Sequence, residues 1–167
     1  MQHDVLRSRI LNLMALAKLQ AENTAKRSAC KRHSVGVTAF DPTDLKRAII
    51  LSEYNRPPEG IECTGEMGNC GCQHAEALLL SRMLSEKIRP NLIVYCTVMP
   101  CPGCFHLLQV SNAVHGVIYE TSCRHEQWIW RLSEKTGLPM LHSSVITNST
   151  EAAYGFIGKY LERLPHS

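Results

Sequence analysis

Two short runs of this chain each place soft metal ligands at the mouth of an apolar helix. The first is "CQHAEALLL", residues 72–80, and the second is "MPCPGCFHLLQV", residues 99–110. A core helix needs no histidine and carboxylate at its start. Cys101 and Cys104 are three residues apart, so a helix puts both on one face. Thiolates at a helix start are stabilised by the dipole and by free backbone N–H groups. His74, opening the other helix, supplies a third ligand. One imidazole and two thiolates leave the fourth position of a tetrahedral zinc open, as in catalytic rather than structural sites. The chain must then fold so that two helix starts meet around one metal.

Glu76 lies two residues beyond His74, so it approaches the same metal without ligating it. A charge argument explains why an acid is needed there. Zinc with two thiolates and a neutral imidazole is formally neutral, and acidifies a bound water less than a three-histidine site does. A carboxylate must help to remove the proton, and the same group can carry it onward to a leaving amine. Taken singly, these residues have plainer explanations: a packed histidine, a first-turn acid, a pair of core or redox cysteines. Their joint occurrence as His74-x-Glu76 and Pro100-Cys101-x-x-Cys104 is the pattern of zinc nucleobase deaminases.

The 167 residues suit one domain, 1–167, with its own core. A net charge of +3 suits a small anionic ligand and is too weak to argue for nucleic acid. No apolar run approaches the roughly 18 residues of a membrane span. The N-terminal "MQHDVLRSRILNLMALAKLQ" has only a faint leader pattern. Asp4 interrupts its basic region, and Leu6, Ile10, Leu13, Met14 and Ala17 fall on one helical face. A cytoplasmic chain follows, and its eight cysteines read as ligands or catalytic groups rather than disulfides.

Along the chain, helix-period and strand-period segments alternate. Helices are expected at 4–26, 74–87, 101–112, 125–137 and 151–164. Strands are expected at 34–40, 47–54, 92–98 and 116–120, with a last strand at "SSVITN", 143–148. The first two strands pair antiparallel. The pattern predicts an α/β sandwich built on one central sheet. Between strand and helix lies an irregular stretch, Asn55 to Gln73, rich in glycine and holding three cysteines. A loop of that length needs something to pin it.

With these residues in hand, the chain resembles the zinc-dependent cytidine/deoxycytidylate deaminase superfamily, and within it the deoxycytidylate (dCMP) deaminases. The likeness runs from about Cys30 to Glu120. "RSACKRHSVGV" resembles the segment before the family's first strand. "SEYNRPPEGIEC" resembles its "GYNG-x-P-x-G-x-x-x-C" turn, and "HAE" and "PCPGC" are its active-site boxes. The resemblance implies a three-layer α/β/α sandwich with a five-stranded mixed sheet, and a homo-oligomer, hexamer or dimer. It implies a hydrolase acting on the C–N bond of a cyclic amidine, converting dCMP to dUMP with release of ammonia. Water attacks C4, and Glu76 moves protons from the water to N3 and then to the amine. Asn55 falls at the sugar-contacting position, Val35, Gly36 and Ala75 at the base pocket, and Arg56 beside the substrate. Arg56, Arg82, Lys31 and Arg124 are the candidate phosphate partners.

Three departures stand out. Glu53 and Arg56 replace the family's two turn glycines. Leu78 stands where the family has asparagine. A tyrosine expected shortly after the "VIY" strand has no counterpart. Some members carry a second, structural zinc, and Cys30, Cys63, Cys70 and Cys72 match the segments that hold it. The partner implied is a small pyrimidine nucleotide. Nucleic acid is disfavoured because aromatics are only 6% of the chain, too few for a stacking track. The rival readings are a deaminase of another cytosine nucleoside, nucleotide or nucleic-acid base, and a non-catalytic zinc module.

Overall fold

The computed structural model describes residues 3–88, 91–148 and 150–165. In chain order the elements are α1 (His3–Ala25), β1 (Gly36–Phe40), β2 (Leu51–Tyr54), α2 (Ala75–Ser85), β3 (Leu92–Val98) and α3 (Pro102–Val110). They continue with β4 (Val114–Thr121), α4 (Glu126–Thr136), β5 (Met140–His142), α5 (Ser144–Asn148) and α6 (Thr150–Glu162). The strands form one mixed sheet in the order β2-β1-β3-β4-β5. β1 runs antiparallel to β2 and β3, whereas β3, β4 and β5 are parallel. The ends of β2, β3, β4 and β5 therefore share one edge of the sheet with the start of β1. That edge carries the site.

Strand periodicity sorts the core into two layers. On β3, Leu92, Val94 and Cys96 face one side, with Ala75, Leu79 and Met83 of α2, Phe105 and Leu108 of α3, and Ile129 of α4. Ile93 and Tyr95 face the other side, with Ile10, Met14, Ala17 and Ala21 of α1 and Phe156, Ile157 and Tyr160 of α6. Both faces of β3 are covered, which is why it reads as a continuous apolar run. The result is the three-layer sandwich and five-stranded sheet that the sequence led us to expect.

One strand lies elsewhere than expected. "SSVITN" is not the last strand, because its residues from Ser144 form the short helix α5. The last strand is Met140–His142, paired to β4 through Val117↔Met140 and Tyr119↔His142. Met140 enters one core layer and Leu141 the other, the alternation of a strand buried on both faces. The ladder ends with Ser143 N–H donating to the Tyr119 carbonyl at 2.7 Å. Ile146 N–H then turns back to the Ser143 carbonyl. Ser144 N–H is taken by Nδ1 of His142 at 3.2 Å. The β-branched residues of 145–147 thus follow a turn that their own propensity does not reveal.

Gly36, at the start of β1, fixes how closely α1 approaches the sheet. A Cβ there would lie 2.0 Å from the carbonyl oxygen of Ala21 and 2.7 Å from the amide of Ala25. Both are backbone atoms of α1 or its end, so they cannot move aside as a side-chain tip can. Gly36→Ala should destabilise the protein by about 3 kcal/mol, the upper end of overpacking costs. Thermal unfolding checks this, and a Tm within a degree of the parent contradicts the close approach.

Candidate active site and metal centres

The loops that leave the sheet edge deliver the three ligands. α2 begins at Ala75 with His74 as its N-cap, and α3 begins at Pro102 with Cys101 as its N-cap. Both caps have extended backbone, and neither side chain caps its own helix. The first helical bonds are Leu78 N–H to the His74 carbonyl and Phe105 N–H to the Cys101 carbonyl. The two side chains are left to face each other. His74 Nδ1 lies 3.5 Å from Cys101 Sγ and 3.3 Å from Cys104 Sγ. The three donors lie within 4.8 Å of one another. A tetrahedral zinc with ordinary Zn–S and Zn–N lengths would hold its ligands roughly 3.5–3.8 Å apart. The donor set fits zinc in chemistry and spacing. Among the described residues no fourth ligand joins this group, so a metal here keeps one position for solvent or substrate.

The electrostatics are those of a waiting thiolate site. The Cys101 thiol is brought down to about 3, by its hydrogen bonds from Cys104 and His74. The imidazole of His74 is raised in turn, chiefly by its bond to Cys101. Cys104 is pushed up by its contact with Cys101 and by burial. Binding a cation here must release the protons that His74 and Cys104 share.

Glu76 sits in the first turn of α2 and is only 4% exposed. Burial raises its carboxyl pKa above the ordinary value. Its own backbone N–H and the charge of His74 oppose the rise, and the charge of Cys101 adds to it. A carboxyl that holds its proton more readily than usual can give it back to a substrate. Cys96 lies in the same core layer, fully buried, with its thiol pushed up by burial.

The far side of the site is built around Asn55. Its Oδ1 accepts hydrogen bonds from Ser28 Oγ at 2.7 Å and from Val35 N–H at 2.8 Å. Its Nδ2 donates to the His33 carbonyl at 2.7 Å. Asn55 therefore fastens the 28–35 segment, with Val35 and Gly36, to the end of β2. One N–H of the amide is left to offer a ligand. Gly36 N–H donates to Thr97 Oγ1 at 3.0 Å, which joins β1 to β3 beside the site. Ala75 is completely buried under the helix start. Ser28 and Thr97 were missed in the sequence, where a serine and a threonine carry no signal of their own.

Arg56 is committed within the protein. Its guanidinium pairs with Glu53 at 2.7 Å and stacks on the ring of Tyr54 at 4.8 Å, while Arg27 covers that ring at 4.9 Å. Its backbone bridges to Gln73, one residue before His74. Arg82 of α2 also pairs with Glu53, at 3.0 Å, and with Glu86. Glu53 is thus a buried carboxylate between two cations.

Cys30, Cys63, Cys70 and Cys72 form a second cluster, with their sulfurs within 4.8 Å of one another. Cys63 Sγ is 3.9 Å from Cys30 Sγ, close to the roughly 3.8 Å edge of a zinc tetrathiolate. All eight cysteines are free thiols. Burial raises the Cys30 thiol, but the N–H groups of His33 and Arg32 and the thiols of Cys72 and Cys63 outweigh it and bring it down to about 7. Lys31 N–H points at Cys63 Sγ at 3.3 Å. The cluster ties the irregular 55–73 stretch to the segment before β1.

A mixed sheet with a His–Cys–Cys centre at two helix starts and a buried glutamate beside it defines the class of zinc-dependent nucleobase deaminases. The family described as the cytidine and deoxycytidylate deaminase zinc-binding region matches residues 9–121, and the chain belongs to it. A curated deoxycytidylate deaminase of Schizosaccharomyces pombe is 26% identical over 135 aligned positions, covering 72% of this chain. This chain spans only 40% of that relative's length. The fold is similar to that of the dCMP deaminase of cyanophage S-TIM5 in apo form, with a TM-score of 0.65 and 22% identity over 78% of this chain and 97% of that one. The same phage enzyme in complex with dCMP and dUMP gives a TM-score of 0.60 at 22% identity, covering 77% and 92%. Among the described residues, no helix is long and apolar enough to cross a membrane.

The Glu53 pairs carry a pH signature. Burial alone would raise this carboxyl, yet its bonds to Arg56 and Arg82 hold it below the ordinary value of 4.5. A depressed folded-state pKa stabilises the protein above the unfolded value and loses that effect as pH falls through the folded one. Glu53→Gln should therefore lower Tm at pH 7, and the difference should shrink steadily below about pH 4.5. A gap that stays constant from pH 7 to pH 3 rules out the ionic contribution.

Proposed function

We propose that the chain catalyses the hydrolytic deamination of dCMP to dUMP with release of ammonia. The observation that carries this reading is the meeting of His74, Cys101 and Cys104 next to a buried Glu76 at two helix starts. Membership of the deaminase family supports it, as do relatives named for deoxycytidylate.

Zinc held by His74, Cys101 and Cys104 would supply a Lewis acid that makes a water more acidic. Glu76, buried and pushed up in pKa, takes a proton from that water and passes it to N3 of the ring. Once the C4–O bond has formed, Glu76 takes the remaining hydroxyl proton and delivers it to the amine, so that the C4–N bond then breaks, C4=O forms and ammonia leaves. Val35, Gly36 and Ala75 line the base, and the free N–H of Asn55 meets a sugar hydroxyl. Exclusion of water around Glu76 keeps the proton on this short path.

The Cys30, Cys63, Cys70 and Cys72 cluster holds a second, structural zinc on this reading. Four thiolates close the coordination sphere, so this metal pins the 55–73 loop and has no open position for chemistry. We also read the protein as a homo-oligomer, supported by exposed apolar residues on the neighbouring helices α2 and α3. They are Leu84, Leu107 and Val110, at 82%, 44% and 48% exposure.

Ammonia release from dCMP, deoxycytidine, CMP and dCTP, measured side by side, tests the substrate. Glu76→Ala should keep its catalytic zinc and lose at least about 1,000-fold in kcat, within the range of general acid–base effects. Near-normal turnover in that variant removes Glu76 from the role. Metal analysis should find two zinc ions in each loaded chain and one after Cys63→Ser, with a clear fall in Tm. One zinc in both proteins rejects the structural site.

A further inference from the structure

Asn55 is a buried amide, 6% exposed, and the two ends of its side chain are chemical opposites. Its neighbours decide which end can face a ligand. Backbone pairing places the residue: Asn55 N–H donates to the Val35 carbonyl at 3.1 Å, which continues the β1–β2 ladder one step past Gly36↔Tyr54. The terminal torsion of an asparagine is broad and roughly two-fold, so the ladder alone does not orient the amide. Val35 N–H and the His33 carbonyl oppose a reversal. A turned amide would set N–H against N–H and oxygen against oxygen. Ser28 supplies the third hold.

Ser28 Oγ lies 2.7 Å from Asn55 Oδ1 and 2.8 Å from the main-chain carbonyl oxygen of Asn55. A hydroxyl has one hydrogen and two lone pairs. Cys30 N–H donates to Ser28 Oγ at 3.2 Å, so the oxygen accepts on that side and turns its hydrogen to Asn55 on the other. The serine is itself anchored at the end of α1, where its N–H donates to the Ala25 carbonyl at 3.0 Å. Cys30 is fixed in turn as a member of the second cysteine cluster. Ser28 and Val35 occupy Oδ1, and His33 occupies one N–H. Asn55 is left with a single unused group, its second N–H, which donates and cannot accept.

We propose that Ser28 is a positioning residue for sugar recognition: its hydroxyl pins the Asn55 amide so that the free N–H meets a sugar hydroxyl as donor. This deepens the deaminase reading and rests on the Asn55 contact assigned there. Among the described residues the Ser28 hydroxyl bonds only to Asn55 and Cys30. Its loss should therefore weaken binding and leave the proton transfers of Glu76 untouched.

The test uses dUMP, whose one free sugar hydroxyl is on C3′, and its 2′,3′-dideoxy analogue, which has none. Direct binding of both is measured on the zinc-loaded parent, Ser28→Ala, Ser28→Val and Ser28→Thr, with the Tm and zinc content of each. The parent should bind dUMP about tenfold more tightly than the analogue, and the ratio should drop to about threefold in the alanine and valine variants. Threonine keeps the hydroxyl on the shape of valine, so Ser28→Thr should hold the ratio near that of the parent. Turnover of dCMP should show KM raised about threefold and kcat unchanged in Ser28→Ala and Ser28→Val. Equal losses for dUMP and the analogue in those variants overturn the positioning role, as does a valine variant that matches threonine. A parent that does not separate the two ligands also overturns it, because no sugar contact is then present to position. Failure of both hydroxyl-free variants to fold assigns Ser28 to the fold alone and overturns it likewise. A parent that shows the sugar-dependent binding and its dependence on Ser28, yet releases no ammonia from dCMP, sinks the deaminase reading and leaves the positioning role standing.

Discussion

The site depends on two N-cap residues that do not cap. His74 and Cys101 hold the extended backbone that an N-cap requires, yet their side chains turn away from their own helices. A serine or aspartate at either position would satisfy a backbone N–H of the first turn. An imidazole and a thiol leave that work undone and point at each other instead. The open N–H groups and the helix dipoles then favour negative charge at the same spot, which helps keep Cys101 a thiolate. Stability forgone at two caps is recovered only when a cation joins the ligands, so folding and metal binding are coupled through these residues.

Glu76 shows the same trade between stability and chemistry. A carboxyl buried in the first turn of α2 is costly, and the cost appears as its raised pKa. Around it the layer is apolar: Ala75, Leu79, Cys96 and Phe105. His74 is the counterbalancing group, because its charge lowers the carboxyl pKa. Glutamate and ligand therefore depend on one another at a spacing of two residues, across the junction between an extended N-cap and the first helical turn.

Much of this could be read from the chain because the pattern is local. His74, Glu76, Cys101 and Cys104 lie in two short segments with helix-start chemistry, and the continuous apolar run of β3 marks a strand covered on both faces. The second cluster was legible through the resemblance, since Cys30, Cys63, Cys70 and Cys72 match the segments that hold a second zinc in some members of the family. The rest came from distant pairings that composition does not mark. Asn55 was picked for a ligand, and the structure adds that its amide holds Ser28, His33 and Val35 in place. The last strand was misplaced because "SSVITN" has β-branched residues while Met140–His142 has none. The short pair with β4 is decided by burial on both faces rather than by propensity.

The replacement of two turn glycines by Glu53 and Arg56 now has a physical account. Neither residue takes a positive φ, so nothing in this backbone requires glycine. The two side chains neutralise each other at 2.7 Å, and Arg82 brings α2 into the same network. The turn that holds Asn55 is thereby linked to the helix that carries Glu76, and the bridge from Arg56 to Gln73 links it to His74. A turn of glycines would leave these links to the backbone alone. Charge here takes over a positioning task, and it does so with guanidinium groups that are then unavailable to an anion.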